Sequence, residues 1–256
     1  VLMHRVKAND VVEIGNFEVE FIHASHSLVD CFSLAIHTPV GTIIHTGDYK
    51  IDDTPVIGKP YDLKTLGRIG DEGVLALLCD STNATVPGRT PSEMAVIPAF
   101  EEIFEQTEGR LIVSTFSSSI HRLQIVFDVA HKYGRRVCVI GRSMIKNIEI
   151  AEEQGLLKIP HGTAIDMSGS RALDDDEICY LVTGSQGEMR AALWNMATAN
   201  FKGIEVEKGD TVILSARIIP GNEKGISRLI GHLYKRGANI IEEKRRLVHV
   251  SGHASQ

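Results

Sequence analysis

The chain has 256 residues, of which 43% are hydrophobic and 23% are charged. This balance is typical of a folded globular protein and excludes collagen-like, low-complexity and disordered chains. The chain has 27 Lys and Arg residues and 33 Asp and Glu residues, so its formal net charge is −6. This charge excludes a protein that coats nucleic acid through bulk positive charge, but it leaves local binding of phosphate groups open.

The four cysteines are scattered and form no CxxC pair, so we expect reduced thiols rather than disulfides or a thiolate zinc site. No apolar run approaches the roughly 20 residues that a membrane-spanning helix needs, and the N-terminus has no signal-peptide pattern. The sequence therefore predicts a cytoplasmic protein without membrane contacts. Because the chain starts without methionine and stops after a Gly/His/Ser turn, we expect it to be part of a longer protein.

The first third of the chain has the pattern of an antiparallel sheet. Residues 17–22 alternate between apolar and polar, as in a half-buried strand. Residues 33–38 and 42–46 are two further β-rich runs, and the Pro-Val-Gly sequence at 39–41 predicts a hairpin between them.

From residue 74 onward, apolar runs alternate with amphipathic segments. The continuous apolar run 74–79 predicts a strand covered on both faces, and Ser92 is expected to cap a helix that ends near Glu108. The remaining pattern predicts strands at 111–115, 136–140, 178–183, 211–215 and 248–250, and helices at 119–133, 189–198 and 222–236. This order predicts an α/β fold with a parallel sheet wrapped by helices.

Small hydroxyl residues and glycines follow most of the predicted parallel strands, at the edge where ligands bind in such sheets. Exposed N–H groups at helix N-termini form anion sites, so these loops are candidates for phosphate binding. The same residue types also serve as ordinary caps and turns, and the sequence leaves both interpretations open. The loops are 80–83, 115–119, 141–143, 183–188, 217 with 220–222, and 251–255.

Two histidines and two aspartates are candidates for metal binding and for proton transfer. His26 and Asp48 follow two strands of the first third, and their imidazole and carboxylate suit Zn²⁺ or Mn²⁺. His253, in a Gly-rich turn, is a candidate proton donor with Asp80 holding its other ring nitrogen. Two metal ligands do not complete a hydrolytic site, so a structural histidine, a turn aspartate and a turn histidine without a role remain the alternatives.

Eight strings in order, spread over nearly the whole chain, resemble ribonuclease J, a family of the β-CASP branch of the metallo-β-lactamase superfamily. They are ASHSLVD, IHTPVGTIIHTGDYKID, DSTNATVPGRTPSE, VSTFSSSIHRLQ, RRVCVIGRSM, VTGSQGE, IPGNEKG and HVSGHASQ. The resemblance implies part of a metallo-β-lactamase αββα fold plus a β-CASP domain with a parallel sheet flanked by helices. It assigns 1–84 to the C-terminal portion of the first metallo-β-lactamase segment, 85–247 to the β-CASP domain, and 248–256 to the start of the return into the metallo-β-lactamase domain.

The resemblance also implies roles for individual residues. His26 matches a zinc ligand, and Asp48 matches the aspartate that bridges two metals. Asp80 and His253 match a pair that acts in protonation or in holding the scissile phosphate. The residues expected to bind nucleotides and the 5′-monophosphate of RNA are Ser118, Ser185, Ser251 and His253.

Parts of the family pattern are absent from the chain. The HxHxDH signature, expected upstream, has no match, and the final ligand histidine expected beyond HVSGHASQ is also missing. Met189 stands where the family usually has Pro, and Ser119 where it usually has Asn. With only His26 and Asp48 as ligands, we expect this chain alone to bind metal poorly and to be inactive.

The candidates for a local basic channel are Arg142, Arg190, Arg217 and Lys224.

The function implied by the resemblance is metal-dependent cleavage of single-stranded RNA, both 5′→3′ exonucleolytic and endonucleolytic, in RNA decay and processing. It implies two Zn²⁺ per active site, with Mn²⁺ or Mg²⁺ as alternatives, and 5′-monophosphorylated RNA as the preferred substrate. It implies a homo-oligomer or a complex with a paralogue for the full-length protein. The alternatives are a non-catalytic partner subunit that binds RNA or phosphate, and a β-CASP enzyme for DNA or pre-mRNA ends. A small-molecule hydrolase is disfavoured because the β-CASP segment would have no purpose in it.

Overall fold

The computed structural model describes residues 3–201 and 203–255, and its contacts divide the chain into two units. The first unit comprises Val1–Ser92 and Ser251–Gln256, and the second comprises Glu93–Val250. Both units combine strands and helices, so the predicted α/β class is confirmed. The assignment of three segments to named domains stays a prediction.

A five-stranded sheet forms the first unit. Its strands are β1 (Val11–Ile14), β2 (Phe17–Ala24), β3 (Cys31–Thr38), β4 (Gly41–His45) and β5 (Ala76–Leu78). They lie in the order β1-β2-β3-β4-β5, with antiparallel pairing except between β4 and β5, which are parallel. Thr38 pairs with Gly41 across a two-residue turn, so the predicted antiparallel sheet and its hairpin are confirmed.

Helix α1 (Leu63–Glu72) supplies the core of the first unit together with this sheet. Ile69 of the helix is fully buried and belongs to one apolar cluster with Ile22, Ala35 and Ile44 from three neighbouring strands. Asp62 is the N-cap residue of the helix, and its carboxylate accepts the N–H of Thr65, which satisfies one of the free donors of the first turn.

The prediction of a strand covered on both faces at 74–79 is wrong for the described residues. Only Ala76–Leu78 form a strand, and all three residues are exposed. Leu75 and Leu77 are each 61% exposed, and β5 pairs with β4 alone in the described part of the chain. The apolar composition of this strand predicts burial, but none of the described residues covers it.

The second unit contains a parallel sheet flanked by helices, as predicted. Its strands are β6 (Leu111–Ser114), β7 (Arg136–Ile140), β8 (Ala164–Ile165), β9 (Ile178–Val182), β10 (Thr211–Leu214) and β11 (Asn239–Glu242). They lie in the order β11-β10-β6-β9-β7-β8, and every neighbouring pair is parallel. The central strands β10, β6 and β9 are buried along their whole length, as expected for a sheet covered on both faces.

The helices of the second unit are α2 (Ile97–Gln106), α3 (Ile120–Lys132), α4 (Arg142–Glu153), α5 (Met167–Ser170), α6 (Ala192–Ala197) and α7 (Glu223–Arg236). Most of them follow a strand directly, so the loops after the strands lie at the carboxyl edge of the sheet. Among the described residues, no helix has both the length and the apolar character needed to cross a membrane.

The predicted helix from Ser92 starts later than expected. The hydroxyl of Ser92 donates to the carbonyl of Thr54, and the N-cap residue of α2 is Val96 rather than Ser92. A 3₁₀ turn over Glu93–Val96 comes first, and α2 begins at Ile97 with Pro98 in its first turn, where proline's missing N–H costs nothing. Helix α6 is likewise shorter than the predicted 189–198.

The predicted strand at 248–250 is also wrong, because these residues pair with no strand in the described chain. The carbonyl of Val248 instead accepts hydrogen bonds from the side chains of Arg122 (2.6 Å) and Ser215 (2.7 Å). Side chains therefore satisfy the backbone group that a strand partner would have used.

Candidate active site

His26 and Asp48 lie at one edge of the first sheet because of the strand directions. Strands β2 and β4 both pair antiparallel with β3, so they run in the same direction and end at the same edge. The loops that follow are joined, since the N–H of Lys50 donates to the carbonyl of Ser25 (2.8 Å) and the Ser25 hydroxyl donates to the carbonyl of Lys50 (2.7 Å). The structure thus brings together the two residues that the sequence named as metal ligands.

Asp80 reaches the same edge because it follows β5, which is parallel to β4. Its Oδ2 accepts a hydrogen bond from Nδ1 of His253 at 2.7 Å, which is the pairing expected from the sequence. Although burial disfavours the charged carboxylate, hydrogen bonds from Thr82 and His253 hold the pKa of Asp80 at about 2. Asp80 is therefore an anion at neutral pH and requires a proton on Nδ1 of His253.

His26 is oriented by a backbone carbonyl. Its Nδ1 lies 2.7 Å from the carbonyl oxygen of Gly252, and since a carbonyl only accepts, Nδ1 carries the proton. Burial lowers the pKa of His26 below its ordinary value, which favours the neutral ring. The lone pair of His26 is then on Nε2, which has the Ser27 hydroxyl at 3.3 Å.

Side chains from the loop after β5 hold residues 251–255, which we call the return segment. Asn83 Nδ2 donates to Ser251 Oγ (2.9 Å) and to the carbonyl of His253 (3.1 Å). Thr90 Oγ1 donates to the same carbonyl (2.8 Å). The hydroxyl of Ser251 also accepts the N–H of His253 at 3.1 Å. This network fixes the position of His253 relative to the sheet edge.

His26, Asp48 and His253 converge into a group that fits a divalent cation. Each offers one ligand atom, and the three atoms all lie within 4.8 Å of one another. Imidazole and carboxylate are ligands of Zn²⁺ and Mn²⁺. Histidines that bind metals usually donate their other ring N–H to a carboxylate or a carbonyl, and both histidines here do so. The donor set and its orientation thus fit part of a hydrolytic metal site.

Ser118 and Ser185 lie in the second unit, at the carboxyl edge of its parallel sheet. Ser118 is exposed in the loop between β6 and α3, and Ser185 is buried in the loop after β9. Because β6 and β9 are parallel neighbours, the two loops share one edge. Gln186 ties the second loop to the loop after β10, since it donates to the carbonyl of Arg217 (2.9 Å) and accepts the N–H of Ile219 (2.9 Å).

A cavity of about 1130 Å³ opens at the same carboxyl edge, around the ends of β7 and β9. Two of the residues predicted for a basic channel, Arg142 and Arg190, line it. The carboxylates of Asp166 and Glu188 also line it. Asp166 accepts the N–H of Gly169 in α5, and Glu188 accepts the N–H of Gln186 in its own loop. The role of Arg142 and Arg190 in binding RNA stays a prediction.

Sequence reasoning missed Thr90, and it gave Asn83 and Gly252 no role of their own although both lie in loops that it named as candidates for phosphate binding. Their signal was only proximity to candidates along the chain, since Asn83 lies three residues after Asp80 and Gly252 directly precedes His253. Asn83 and the carbonyl it holds are 170 positions apart, and no local spacing predicts such a contact.

Comparison with known proteins shows that the chain is similar to ribonuclease J. The model of a family described as "Ribonuclease J, beta-CASP domain" matches residues 108–233. A ribonuclease J of Synechocystis is 46% identical over 255 residues, which cover 99% of this chain and 40% of that protein. A ribonuclease J of Helicobacter pylori strain 26695 is 46% identical over 245 residues, which cover 96% of this chain and 36% of that protein.

The chain spans about two fifths of the length of these curated relatives. A solved structure is also similar, a protein of unknown function from Enterococcus faecalis, with a TM-score of 0.66 and 15% identity. The match covers 99% of this chain and 57% of that chain. At this identity, the likeness shows a shared fold alone.

Proposed function

Because this chain belongs to the ribonuclease J family, we propose that it forms the centre of a metal-dependent ribonuclease that cleaves single-stranded RNA. The activity is 5′→3′ exonucleolytic and endonucleolytic, it serves RNA decay and processing in the cytoplasm, and it favours 5′-monophosphorylated RNA. The observation that carries the proposal is the convergence of His26, Asp48 and His253, with His253 paired to Asp80.

The proposed cofactors are two divalent metal ions, Zn²⁺ or alternatively Mn²⁺ or Mg²⁺. His26 and Asp48 would hold them together with ligands from outside this chain. When bound, such ions activate a water molecule and neutralise charge that develops on the phosphate. The neutral ring of His26 and the exposed carboxylate of Asp48 suit this role.

His253 is the proposed general acid that protonates the leaving oxygen of the phosphodiester. Its Nδ1 proton is held by Asp80, so Nε2 is the nitrogen that can transfer a proton to the substrate. Because Asp80 stays ionised, its negative charge stabilises the positive imidazolium before the transfer, as a buried carboxylate does for a catalytic histidine.

Hydroxyl groups and loop N–H groups are the proposed contacts of the RNA backbone. Ser251 lies in the return segment beside His253, and Ser118 and Ser185 lie on the carboxyl-edge loops of the second unit. Such groups bind phosphate by hydrogen bonding without adding positive charge. This is consistent with the net charge of −6.

The Asp80–His253 pair favours a catalytic protein over a non-catalytic partner subunit. A subunit that only bound RNA or phosphate would gain nothing from a carboxylate that fixes the tautomer of a histidine next to two metal ligands. This contact therefore supports the nuclease over its main alternative.

The test uses the full reading frame that contains this chain and a 5′-monophosphorylated single-stranded RNA. We expect cleavage that requires Mn²⁺ or Zn²⁺, that is slower on a 5′-triphosphorylated RNA, and that Asp48→Asn reduces by more than about 100-fold. His4→Ala, at an exposed position, is the matched control and should leave the rate unchanged. Absence of metal-dependent cleavage in the wild-type protein, or full activity in Asp48→Asn, would contradict the proposal.

The chain alone is expected to be inactive, because the upstream HxHxDH ligands are not part of it. Incubating the 256-residue chain with the same RNA and Mn²⁺ should give no cleavage above a buffer control. Robust manganese-dependent cleavage would overturn this expectation.

A further inference from the structure

We infer that Gln186 is a positioning residue for RNA binding, and that the loop it holds, residues 217–222, contacts the bases of the RNA. This loop follows β10 at the carboxyl edge of the sheet in the second unit. The inference rests on the proposed function, because it takes single-stranded RNA as the substrate. It concerns how RNA is bound and gives the loop no part in the cleavage step.

The side-chain amide of Gln186 holds the loop by three hydrogen bonds. Its Nε2 donates to the carbonyl of Arg217 at 2.9 Å. Its Oε1 accepts the N–H of Ile219 at 2.9 Å and the side-chain amide of Asn222 at 3.1 Å. Because a carbonyl only accepts and a backbone N–H only donates, these partners determine the orientation of the amide. Gln186 is 6% exposed, so water competes little for these bonds.

The loop after β9 gives Gln186 a fixed starting point. The carboxylate of Glu188 accepts the N–H of Gln186 at 3.0 Å. Gly187 lies directly on the first turn of α7, where a Cβ at position 187 would be 2.6 Å from the nitrogen of Ile226. The amide of Gln186 therefore spans from a backbone segment packed on α7 to the neighbouring loop.

The loop after β10 has a defined turn. The N–H of Asn222 donates to the carbonyl of Ile219 at 3.0 Å, and Gly221 has a φ of +98°. Pro220 at the second position and a glycine with positive φ at the third are the pattern of a type II turn. A ligand that contacts this loop therefore has little backbone entropy left to remove.

Two neighbouring isoleucines of the loop are exposed. Ile218 is 38% exposed and Ile219 is 47% exposed. Gln186 binds only backbone groups of Arg217 and Ile219, so the isoleucine side chains keep their surface for a ligand. Adjacent exposed apolar side chains mark interaction sites. At an edge where RNA is proposed to bind, they suit nucleobases, because unpaired bases pack on apolar and aromatic side chains.

Ser185 places a polar group beside this apolar surface. It is 6% exposed, and it lines a cavity of about 60 Å³ together with Ile218. Among the described residues, none forms a hydrogen bond with the Ser185 hydroxyl, which is thus left for a ligand. Glu242, Glu243 and Lys244 also line the cavity, so its charge does not select an anion. Ser185 can therefore bind the sugar of a nucleotide while Ile218 contacts its base.

The test measures the dissociation constant of a fluorescent single-stranded RNA by anisotropy, with the protein made from the full reading frame and EDTA present to prevent cleavage. Gln186→Met removes the three hydrogen bonds to the loop and should weaken binding by about tenfold. An unchanged dissociation constant in this variant would overturn the inference.

Gln124→Met is the matched control for Gln186→Met. The Gln124 side chain also donates to a backbone carbonyl and accepts a backbone N–H, both of Lys158 and both at 2.8 Å, but neither residue lies in a loop proposed to bind RNA. This variant should bind RNA as the wild type does. An equal loss of affinity in Gln124→Met would show that Gln186 is merely structural and would overturn the inference.

Ile219→Ser tests the base contact at an exposed position. It should weaken RNA binding by about fivefold, whereas Ile150→Ser, at a residue of α4 that is 40% exposed, should bind as the wild type does. On an RNA of the same length with abasic sugars, Ile219→Ser should equal the wild type. No loss on ordinary RNA, or an equal loss on both RNAs, would overturn the base contact.

Kinetics then separate positioning from folding. In manganese-dependent cleavage, Gln186→Met should raise KM by about tenfold and change kcat by less than about twofold. Adding Ile219→Ser should weaken RNA binding little further, because a displaced loop no longer presents Ile219. A fall in kcat at unchanged KM, or losses of affinity that multiply, would contradict the inference. A wild type that binds RNA without cleaving it would defeat the ribonuclease proposal, and the dissociation constants would still decide this inference.

Discussion

Gly252 touches His26 so closely that no side chain fits between them. A Cβ at position 252 would lie 2.7 Å from Cε1 and 2.8 Å from Nδ1 of the His26 ring, and 2.8 Å from the Ser27 hydroxyl. The Gly252 carbonyl also accepts the Nδ1 proton of His26. The absence of a side chain at position 252 therefore leaves room for the His26 ring, and the carbonyl of Gly252 sets the tautomer of this proposed metal ligand.

Gly252→Ala should consequently displace the His26 ring. We expect the ¹⁵N signals of His26 to change as the Nδ1–H···O contact is lost, and the affinity for Zn²⁺ to fall by about tenfold.

Gly67→Ala is the matched control, because a Cβ there meets nothing within 4 Å. Position 67 is inside α1, so this control should stabilise the chain by about 0.5–1 kcal/mol with His26 unaltered. Unchanged His26 signals in Gly252→Ala would refute the positioning role.

The cysteines should differ in reactivity according to their burial. Burial raises the pKa of Cys179 to about 12 and that of Cys31 to about 11, while Cys79 is exposed. Because the thiolate is the reactive form, alkylation of the native chain at mildly alkaline pH should modify Cys79 first and Cys179 only after unfolding. Mass spectrometry of timed samples provides the measurement, and early modification of Cys179 would contradict the structure.

Among the elements, α1 depends on its N-cap residue, Asp62, for stability. The carboxylate of Asp62 accepts the N–H of Thr65 at 3.0 Å and its hydroxyl at 2.7 Å. Asp62→Ala should lower the free energy of unfolding by about 1 kcal/mol, measured by urea denaturation. A free energy of unfolding equal to that of the wild type, within experimental error, would show that the cap does not stabilise the helix.

The same cap makes α1 sensitive to acid. Although burial acts against the charged form, hydrogen bonds from Thr65 lower the pKa of Asp62 below its ordinary value of 3.8. Its contribution to stability is therefore complete above that ordinary value and is lost as the pH falls through the lower folded pKa. Asp62→Asn should reduce the loss of stability in this acidic range, measured by urea denaturation at a series of pH values.

In the second unit, a buried ion pair connects α3 with the 3₁₀ turn before α2. Arg122 and Glu93 are 2.7 Å apart and each is 1% exposed. Arg122→Met should destabilise the unit by about 3–5 kcal/mol, because it removes the guanidinium that pairs with a buried carboxylate.

The matched control is Arg89→Met, which breaks an exposed pair with Asp53 and should change the free energy of unfolding far less. Equal losses in the two variants would contradict a special role for the buried pair.

Elements with a clear period could be predicted from the sequence, and short or one-sided elements could not. The alternation of residues 17–22 predicts β2, and the apolar runs predict the buried strands β6, β9 and β10. Strand β8 has two residues and β1 is mostly exposed, so neither carries a periodic signal. The apolar character of β5 predicts burial, but it does not say which element supplies the cover.

For the whole molecule, the candidate site depends on contacts that local patterns do not contain. Asp80 and His253 are separated by 173 positions, and His26 and Gly252 by 226. Strand directions explain why the residues after β2, β4 and β5 share an edge. The sequence paired Asp80 with His253, but it did not pair His26 with Gly252. The hydrogen bonds that fix the tautomers, and the approach of His253 to His26 and Asp48, appear only once the chain is folded.

The most direct test of the central claim is a double-mutant cycle on the rate of manganese-dependent cleavage of 5′-monophosphorylated RNA. It compares the full-length wild type with Asp80→Asn, His253→Ala and the double variant. If the two residues act as one proton-transfer unit, His253→Ala should lower the rate by about 100-fold or more, and adding Asp80→Asn should lower it little further. An unchanged rate in His253→Ala, or losses that multiply in the double variant, would contradict this account.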